Sequence, residues 1–144
     1  VGVYHLDVHG IASHAGVDFT AGASAILELA RQLERIAGFT DLKKALTVNP
    51  GVISGGTRSN VIAEHASAEI DIRIARLRDA ATLDKKFRAL KPVDKRCRLS
   101  LSGGLNRPPM ERTPAIAALF QQAQALARDL GQRPVEVVGD EGHL

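Results

Sequence analysis

Two stretches of strict alternation constrain this chain more than any other feature. In VGVYHLDVHG, Tyr4, Leu6 and Val8 alternate with His5, Asp7 and His9; in VIAEHASAEIDIRI, Ile70, Ile72 and Ile74 alternate with Glu69, Asp71 and Arg73. Successive side chains of a strand point to opposite faces, so each stretch reads as a strand with one apolar and one wet face. A sheet of such strands needs cover on one side only.

The intervening segments supply that cover. Ile26, Leu29, Ala30, Leu33, Ile36 and Ala37 recur at helical spacing, with Gly38 as a stop. LTVNPGVIS reads as a second strand, and its Pro50 cannot donate a ladder hydrogen bond, which predicts a sheet edge or a bulge. GGTRSN connects it to the third strand, VIAEHASAEIDIRI. A second helix is predicted over DAATLDKKFRAL, with Leu83, Phe87 and Leu90 on one side, and CRLSLSGG reads as a fourth strand. The order β-α-β-β-α-β predicts an α+β, ferredoxin-like sandwich: a four-stranded antiparallel sheet with two helices on one face.

Composition bounds the rest. At 144 residues the chain is one domain, or one domain and a piece of another. The apolar fraction is 44% but aromatics are only 3%, so the predicted core is aliphatic. No run approaches the ~20 apolar residues of a membrane span, and no signal peptide is evident. The single Cys97 excludes an internal disulfide and fits a reducing, cytoplasmic setting. The net charge of +3 arises mainly between Arg73 and Arg98, read as a solvated helix-and-turn surface. The chain opens on Val1 inside a strand pattern, which reads as an internal segment of a longer protein.

Past Gly104 the character changes. LNRPPMER is a proline-bearing linker, Thr113 and Pro114 form an N-cap and N1 pair, and AIAALFQQAQALARDLG is an alanine-rich helix. RPVEVVG reads as the start of a further strand. One helix and one strand cannot enclose a core, so the chain divides into a domain over 1–106 and a partial second domain over 107–144.

Several side chains invite chemical readings. His14 sits in GIASHAG, a loop stripped of bulk; taken alone it is a surface histidine. Asn60 could be a turn residue bonding its own backbone, and Arg73 a sheet-face arginine paired with Asp71 or Glu69. GGTRSN lacks the lysine of a phosphate loop and opens no helix; Arg58 within it is left unassigned. His5, Asp7 and His9 are credible zinc ligand types, but i, i+2, i+4 positions spread over roughly 13 Å of strand, too far to meet one ion. His65 and Cys97 show no evident partners. The terminal GDEGHL carries Asp140, Glu141 and His143 and is not read as a metal site.

GIASHAG, then an alanine-rich helix, then NPGVISGGTRSNVIAEHASAEIDIRI, then a glycine–proline exit, resembles the lid or dimerisation domain of the dinuclear zinc peptidases. That family includes glutamate carboxypeptidase, aminoacylase, acetylornithine deacetylase and succinyl-diaminopimelate desuccinylase, and the glutamate carboxypeptidase branch is the most similar. The resemblance implies that His14 reaches into the partner subunit's active site of a homodimer and hydrogen-bonds the scissile carbonyl oxygen. It implies that Asn60 helps bind the substrate, a small peptide or N-acyl-amino acid, and that Arg73 receives its carboxylate. Two zinc ions and the glutamate that activates their water are implied for the parent enzyme, with ligands outside this segment, so the segment alone is expected to be inactive. The edge strand, opposed to its symmetry mate, is expected to extend the sheet across the dimer axis, with the first helix beside the seam.

Two alternatives accompany this reading. One is a purely structural dimerisation module in which His14 and Arg73 do no chemistry. The other is a ferredoxin-like RNA binder, which normally displays stacking aromatics on the central strands, where this chain offers Tyr4 at most. The expectation is that the protein binds neither nucleic acid nor membrane.

Overall fold

A computed structural model describes residues 1–132. Its elements are β1 (Gly2–His9), β2 (Ser13–His14), α1 (Ala25–Ala37), β3 (Leu46–Gly55), β4 (Val61–Ile62), β5 (His65–Ile74), α2 (Leu77–Arg88), β6 (Arg98–Leu105) and α3 (Pro114–Asp129). Four strands form one antiparallel sheet in the order β3-β5-β1-β6, the ferredoxin-like plan read from the sequence. The strand expected in RPVEVVG and the terminal GDEGHL lie outside the described residues.

The two alternating strands are the central pair. Tyr4 faces Ile70, Leu6 faces Ala68 and Val8 faces Ala66 across the β1–β5 ladder, so the apolar sets of both strands share one side. There Tyr4, Leu6, Val8, Ile70, Ile72 and Ile74 are buried with Leu29 and Ile36 of α1 and Leu83 and Phe87 of α2. Each such side chain contributes about 1.5–3 kcal/mol relative to exposure. The core is chiefly aliphatic, with Tyr4 and Phe87 buried in it and Phe39 packed against it. Tyr4 and Phe87 stack with centroids 4.0 Å apart, and Phe39 meets Phe87 edge-on at 5.5 Å. The Tyr4 hydroxyl donates to Asp84 Oδ1 at 2.8 Å; burial and that acceptor both push its pKa up. The Cys97 thiol is also buried, and burial raises its pKa.

The sequence expectations hold at β3 in both of their forms. β3 is an edge strand, and its register with β5 shifts between Pro50 and Val52, leaving Gly51 as the extra residue of a bulge. Three expectations need correction. The stretch 61–74 is two strands, because the chain turns at 63–64 and β4 leaves the main sheet. The α1 stripe is rotated: Ala25, Glu28, Leu29, Gln32 and Ile36 are buried, while Ile26, Ala30 and Ala37 are exposed. Finally, α2 starts at Leu77 rather than Asp79; no side chain of Arg76 caps it, and Glu111 Oε1 of the linker accepts from the Leu77 N–H at 2.7 Å instead.

Thr113 caps α3 as expected, its hydroxyl accepting from the Ile116 N–H at 3.2 Å with Pro114 at the first helical position. α3 contains no buried residue. The backbone N–H groups of Asn106 and Arg107 donate to the Val1 carbonyl at 2.9 and 3.0 Å. Val1 and the 106–107 step therefore lie side by side, at the end of the sheet where Gly2 faces Ile72 and Leu105. Among the described residues no helix is long and apolar enough to cross a membrane.

Candidate functional site

The glycine-flanked histidine belongs to a two-stranded ribbon that the alternation gives no sign of. β2 and β4 pair antiparallel, with Ser13 opposite Ile62 and His14 opposite Val61. The ribbon is tied to the main sheet through Gly10, whose N–H donates to the Glu64 carbonyl at 2.7 Å. Ile11 and Ala23 exchange backbone hydrogen bonds at 2.9 and 3.0 Å, so the chain passes closely over itself there. A Cβ at Gly10 would run into the Ala23 carbonyl oxygen, which explains that glycine. The Ser13 hydroxyl closes the loop by donating to the Asp18 carbonyl.

This arrangement brings His14 and Asn60 together. The Ala15 N–H donates to the Asn60 carbonyl at 2.9 Å, so Asn60 lies opposite the residue that follows His14. Both side chains are exposed. The His14 ring is not free to turn, because its Nδ1 accepts from the N–H groups of Gly16 at 3.1 Å and Val17 at 3.2 Å. A ring nitrogen that accepts carries no proton, so the neutral imidazole bears its hydrogen on Nε2. His14 therefore offers one outward donor from a ring fixed by its own loop. Gly16 matters here through its N–H: a Cβ on it would meet only ordinary contacts with the ring at 3.6 and 3.7 Å.

Asn60 bonds through its backbone, and its amide has no hydrogen-bond partner among the described residues. Two residues earlier, the Arg58 carbonyl accepts from the Val61 N–H at 3.2 Å, closing the turn. The Arg58 guanidinium has no partner among the described residues.

Arg73 is elsewhere. It stands on the open face of β5, where its Nε donates to Asp71 Oδ2 at 2.8 Å. It is eight residues beyond His65 on the same strand, a rise of roughly 26 Å. That end of the sheet is the one beside Val1 and Arg107; His14 and Asn60 occupy the other. The three residues singled out in the sequence thus form one pair and one distant single.

Among the described residues, the remaining histidines belong to a polar sheet face. His5 Nδ1 lies 3.8 Å from Glu69 Oε2, His65 Nε2 lies 3.4 Å from Asp7 Oδ1, and His9 packs edge-on against His65 at 5.1 Å. His65, which has no evident partner in the sequence, acquires two through the β1–β5 register. Among the described residues no three His, Cys, Asp or Glu side chains are placed to hold a metal ion. Tyr4 points into the core, so the open face of the two central strands carries no Phe, Tyr or Trp, and its rings are those of His5, His9 and His65.

One structural residue escapes the sequence reading. Glu28 is fully buried in α1, and its Oε1 accepts from Gln32 Nε2 at 2.6 Å and the Val93 N–H at 2.9 Å, while Oε2 accepts from the Asp94 N–H at 2.9 Å. Burial opposes its charge, but the Asp94 N–H, the Gln32 amide, the Val93 N–H and the Arg31 charge outweigh that and hold the carboxyl below its ordinary value. Asp94 is then clamped by Arg96, whose Nε and Nη2 donate to its two oxygens at 3.1 and 2.8 Å. Those bonds, with the Arg96 backbone N–H, bring its pKa down to about 2. The Glu28–Gln32 spacing of four within an apolar stripe is the signal that could have exposed this anchor.

Comparison with known proteins agrees with this fold. The peptidase dimerisation domain family matches residues 2–91. A protein designated probable carboxypeptidase from Arthroderma otae is 31% identical over 121 residues, which are 73% of this chain and 26% of that protein. Two solved structures share the fold. A hydantoinase/carbamoylase family amidase from Burkholderia multivorans superposes with a TM-score of 0.71 at 21% identity, covering 99% of this chain and 36% of that one. A tripeptidase from Staphylococcus aureus gives 0.62 at 22% identity, covering 91% and 35%. The chain thus spans about a quarter of the length of the Arthroderma relative. Matched by that family over residues 2–91, well over half of its length, this chain belongs to the peptidase dimerisation domain family.

Proposed function

We propose that this domain is the lid of a zinc-dependent amide hydrolase and that it lends His14 and Asn60 to the active site of its dimer partner. The observation that carries the proposal is the His14 ring, held by two backbone N–H groups with its single donor turned outward. Carboxypeptidase, tripeptidase and amidase are the names of similar proteins, and all three denote cleavage of a C–N bond beside a carbonyl. As a nucleophile adds to that carbonyl, negative charge develops on its oxygen. A donor already in place needs no reorganisation to meet it and contributes about 2.7–4 kcal/mol of transition-state stabilisation. The Asn60 amide adds an uncharged donor and acceptor beside it. The Arg73 fork receives the substrate's carboxylate, with Nε on Asp71 setting its orientation. The zinc ions would be held by residues outside those described.

Separation assigns these residues to different sites. A small peptide or N-acyl-amino acid cannot bridge the ribbon, at the His65 end of β5, and Arg73, which a rise of roughly 26 Å separates from His65, on the same protomer. We therefore assign Arg73 to its own chain's cleft, since it lies at the end of the sheet from which the 106–107 step leads into the linker, and His14 and Asn60 to the partner's. The β3 edge suits the seam: Ile53 lies on the helix side opposite Ala68, Ile53 and Ile26 are exposed, and Ala30 continues the exposed apolar strip of α1. Two such edges meeting about a two-fold axis would extend the sheet.

The test is His14→Ala in the full-length enzyme. The expected outcome is an unchanged dimer with kcat lowered by about 100- to 1,000-fold. An unchanged kcat with the dimer intact would reduce the domain to a structural dimerisation module.

A further inference from the structure

Between the ribbon, the N-terminus of α1 and the 94–96 loop lies a cavity of about 460 Å³. Phe19, Leu27 and Ile62 are among its apolar walls, and three guanidinium groups, Arg31, Arg58 and Arg96, line it as well. Their charges are not equally balanced. Arg96 is spent on Asp94 and, through Nη1, on the Thr20 carbonyl at 3.0 Å. Arg31 Nη1 lies 3.8 Å from the buried Glu28 carboxylate. Arg58 has no counter-charge among the described residues, so one positive charge is left over and Arg58 carries it. Phe19 and Leu27 are largely exposed, at 65% and 55%. An unbalanced guanidinium beside exposed apolar walls complements an anion that has an apolar body.

We propose that this cavity binds a small carboxylate with an apolar substituent, held through Arg58. The guanidinium fork takes both carboxylate oxygens, and the apolar part displaces water from Phe19, Leu27 and Ile62. Ala15 also lines the cavity, which places it beside the His14 loop. The Cα atoms of Arg58 and His14 are within roughly 12 Å, the sum of a β-turn and one strand pairing. That such a ligand is the carboxylic acid released by amide cleavage rests on the function proposed above; the binding itself does not.

Hippurate is a suitable probe, with its neutral carboxamide as control, followed by amide chemical shifts of this chain in solution. Saturable shifts are expected at residues 56–63 and 94–96, weakened by salt. The carboxamide and the Arg58→Ala variant should each bind about tenfold or more weakly, since a hydrogen bond to a charged group is lost. Arg58→Lys should fall between. His14→Ala should bind hippurate as the unaltered chain does, so a failure of the catalytic reading leaves this result standing. Absence of shifts, equal binding of the carboxamide, or an Arg58→Ala variant that binds normally would overturn the proposal. So would shifts that emerge only when a dimer is diluted apart, since the partner copy would then be the occupant.

Discussion

The β1–β5 pair and the β2–β4 ribbon are built from the same backbone chemistry on different scales. The first pairs eight positions on each strand and buries one whole face; the second pairs two and leaves His14 and the neighbouring Asn60 in solvent. Burial fixes the long pair. The ribbon is fixed by local hydrogen bonds: Gly10 to Glu64, Ile11 with Ala23, Ala15 to Asn60 and Ser13 to Asp18. The difference teaches that fold stability and the presentation of His14 and Asn60 rest on separate sets of interactions, so each can be altered without the other.

Four substitutions probe that separation. Phe87→Ala removes the ring stacked on Tyr4 and should cost about 3–5 kcal/mol in denaturant unfolding, while the ribbon's hydrogen-exchange pattern in the remaining folded protein is unchanged. Glu28→Gln places an amide donor against backbone donors and should cost about 2–3 kcal/mol. Its effect has a pH signature. The folded carboxyl titrates below its ordinary 4.5, so its contribution is complete above that value and is lost as pH falls through the folded one. The gap between the unaltered chain and Glu28→Gln should therefore be full at neutral pH and close on acidification below about 4.5.

On the ribbon side the effects are smaller. Gly10→Ala forces a Cβ against the Ala23 carbonyl and should cost about 1–2 kcal/mol, with faster hydrogen exchange at Ile11, Ala15 and Ala23 before the core is affected. Equal loosening of ribbon and core would break the comparison. Gly16→Ala should change stability by less than about 0.5 kcal/mol and keep the His14 Nδ1 contacts, because only ordinary contacts await its Cβ. Nitrogen shifts of the imidazole report those contacts directly.

The sheet was legible because burial leaves a period in the sequence. Tyr4, Leu6, Val8 and Ile70, Ile72, Ile74 had to face one side, and Pro50 had to lie at an edge or a bulge. The ribbon was not legible, since two paired residues leave no period. Glu28 was hidden for a related reason: a carboxylate is ordinarily a surface residue, and only the arrival of the Val93 and Asp94 N–H groups from 65 and 66 positions away makes its burial sustainable. The helix stripe was misplaced by the same omission, since polar Glu28 and Gln32 occupy it while Ile26 and Ala30 lie outside. For the candidate site, residue types were readable and distances were not. Nothing in the spacing of His14, Asn60 and Arg73 tells that two are neighbours and the third is a strand length away.

That distance carries the account's central claim, and mixed dimers of the full-length enzyme test it most directly. His14→Ala and Arg73→Ala protomers are each expected to form dimers with little activity. Mixed, they should regain activity that neither has alone, because the cleft of the His14→Ala subunit keeps its own Arg73 and borrows an intact His14 from its partner. A mixture as inactive as its parents, with heterodimers demonstrated, would contradict the account and place both residues in the same site from the same chain.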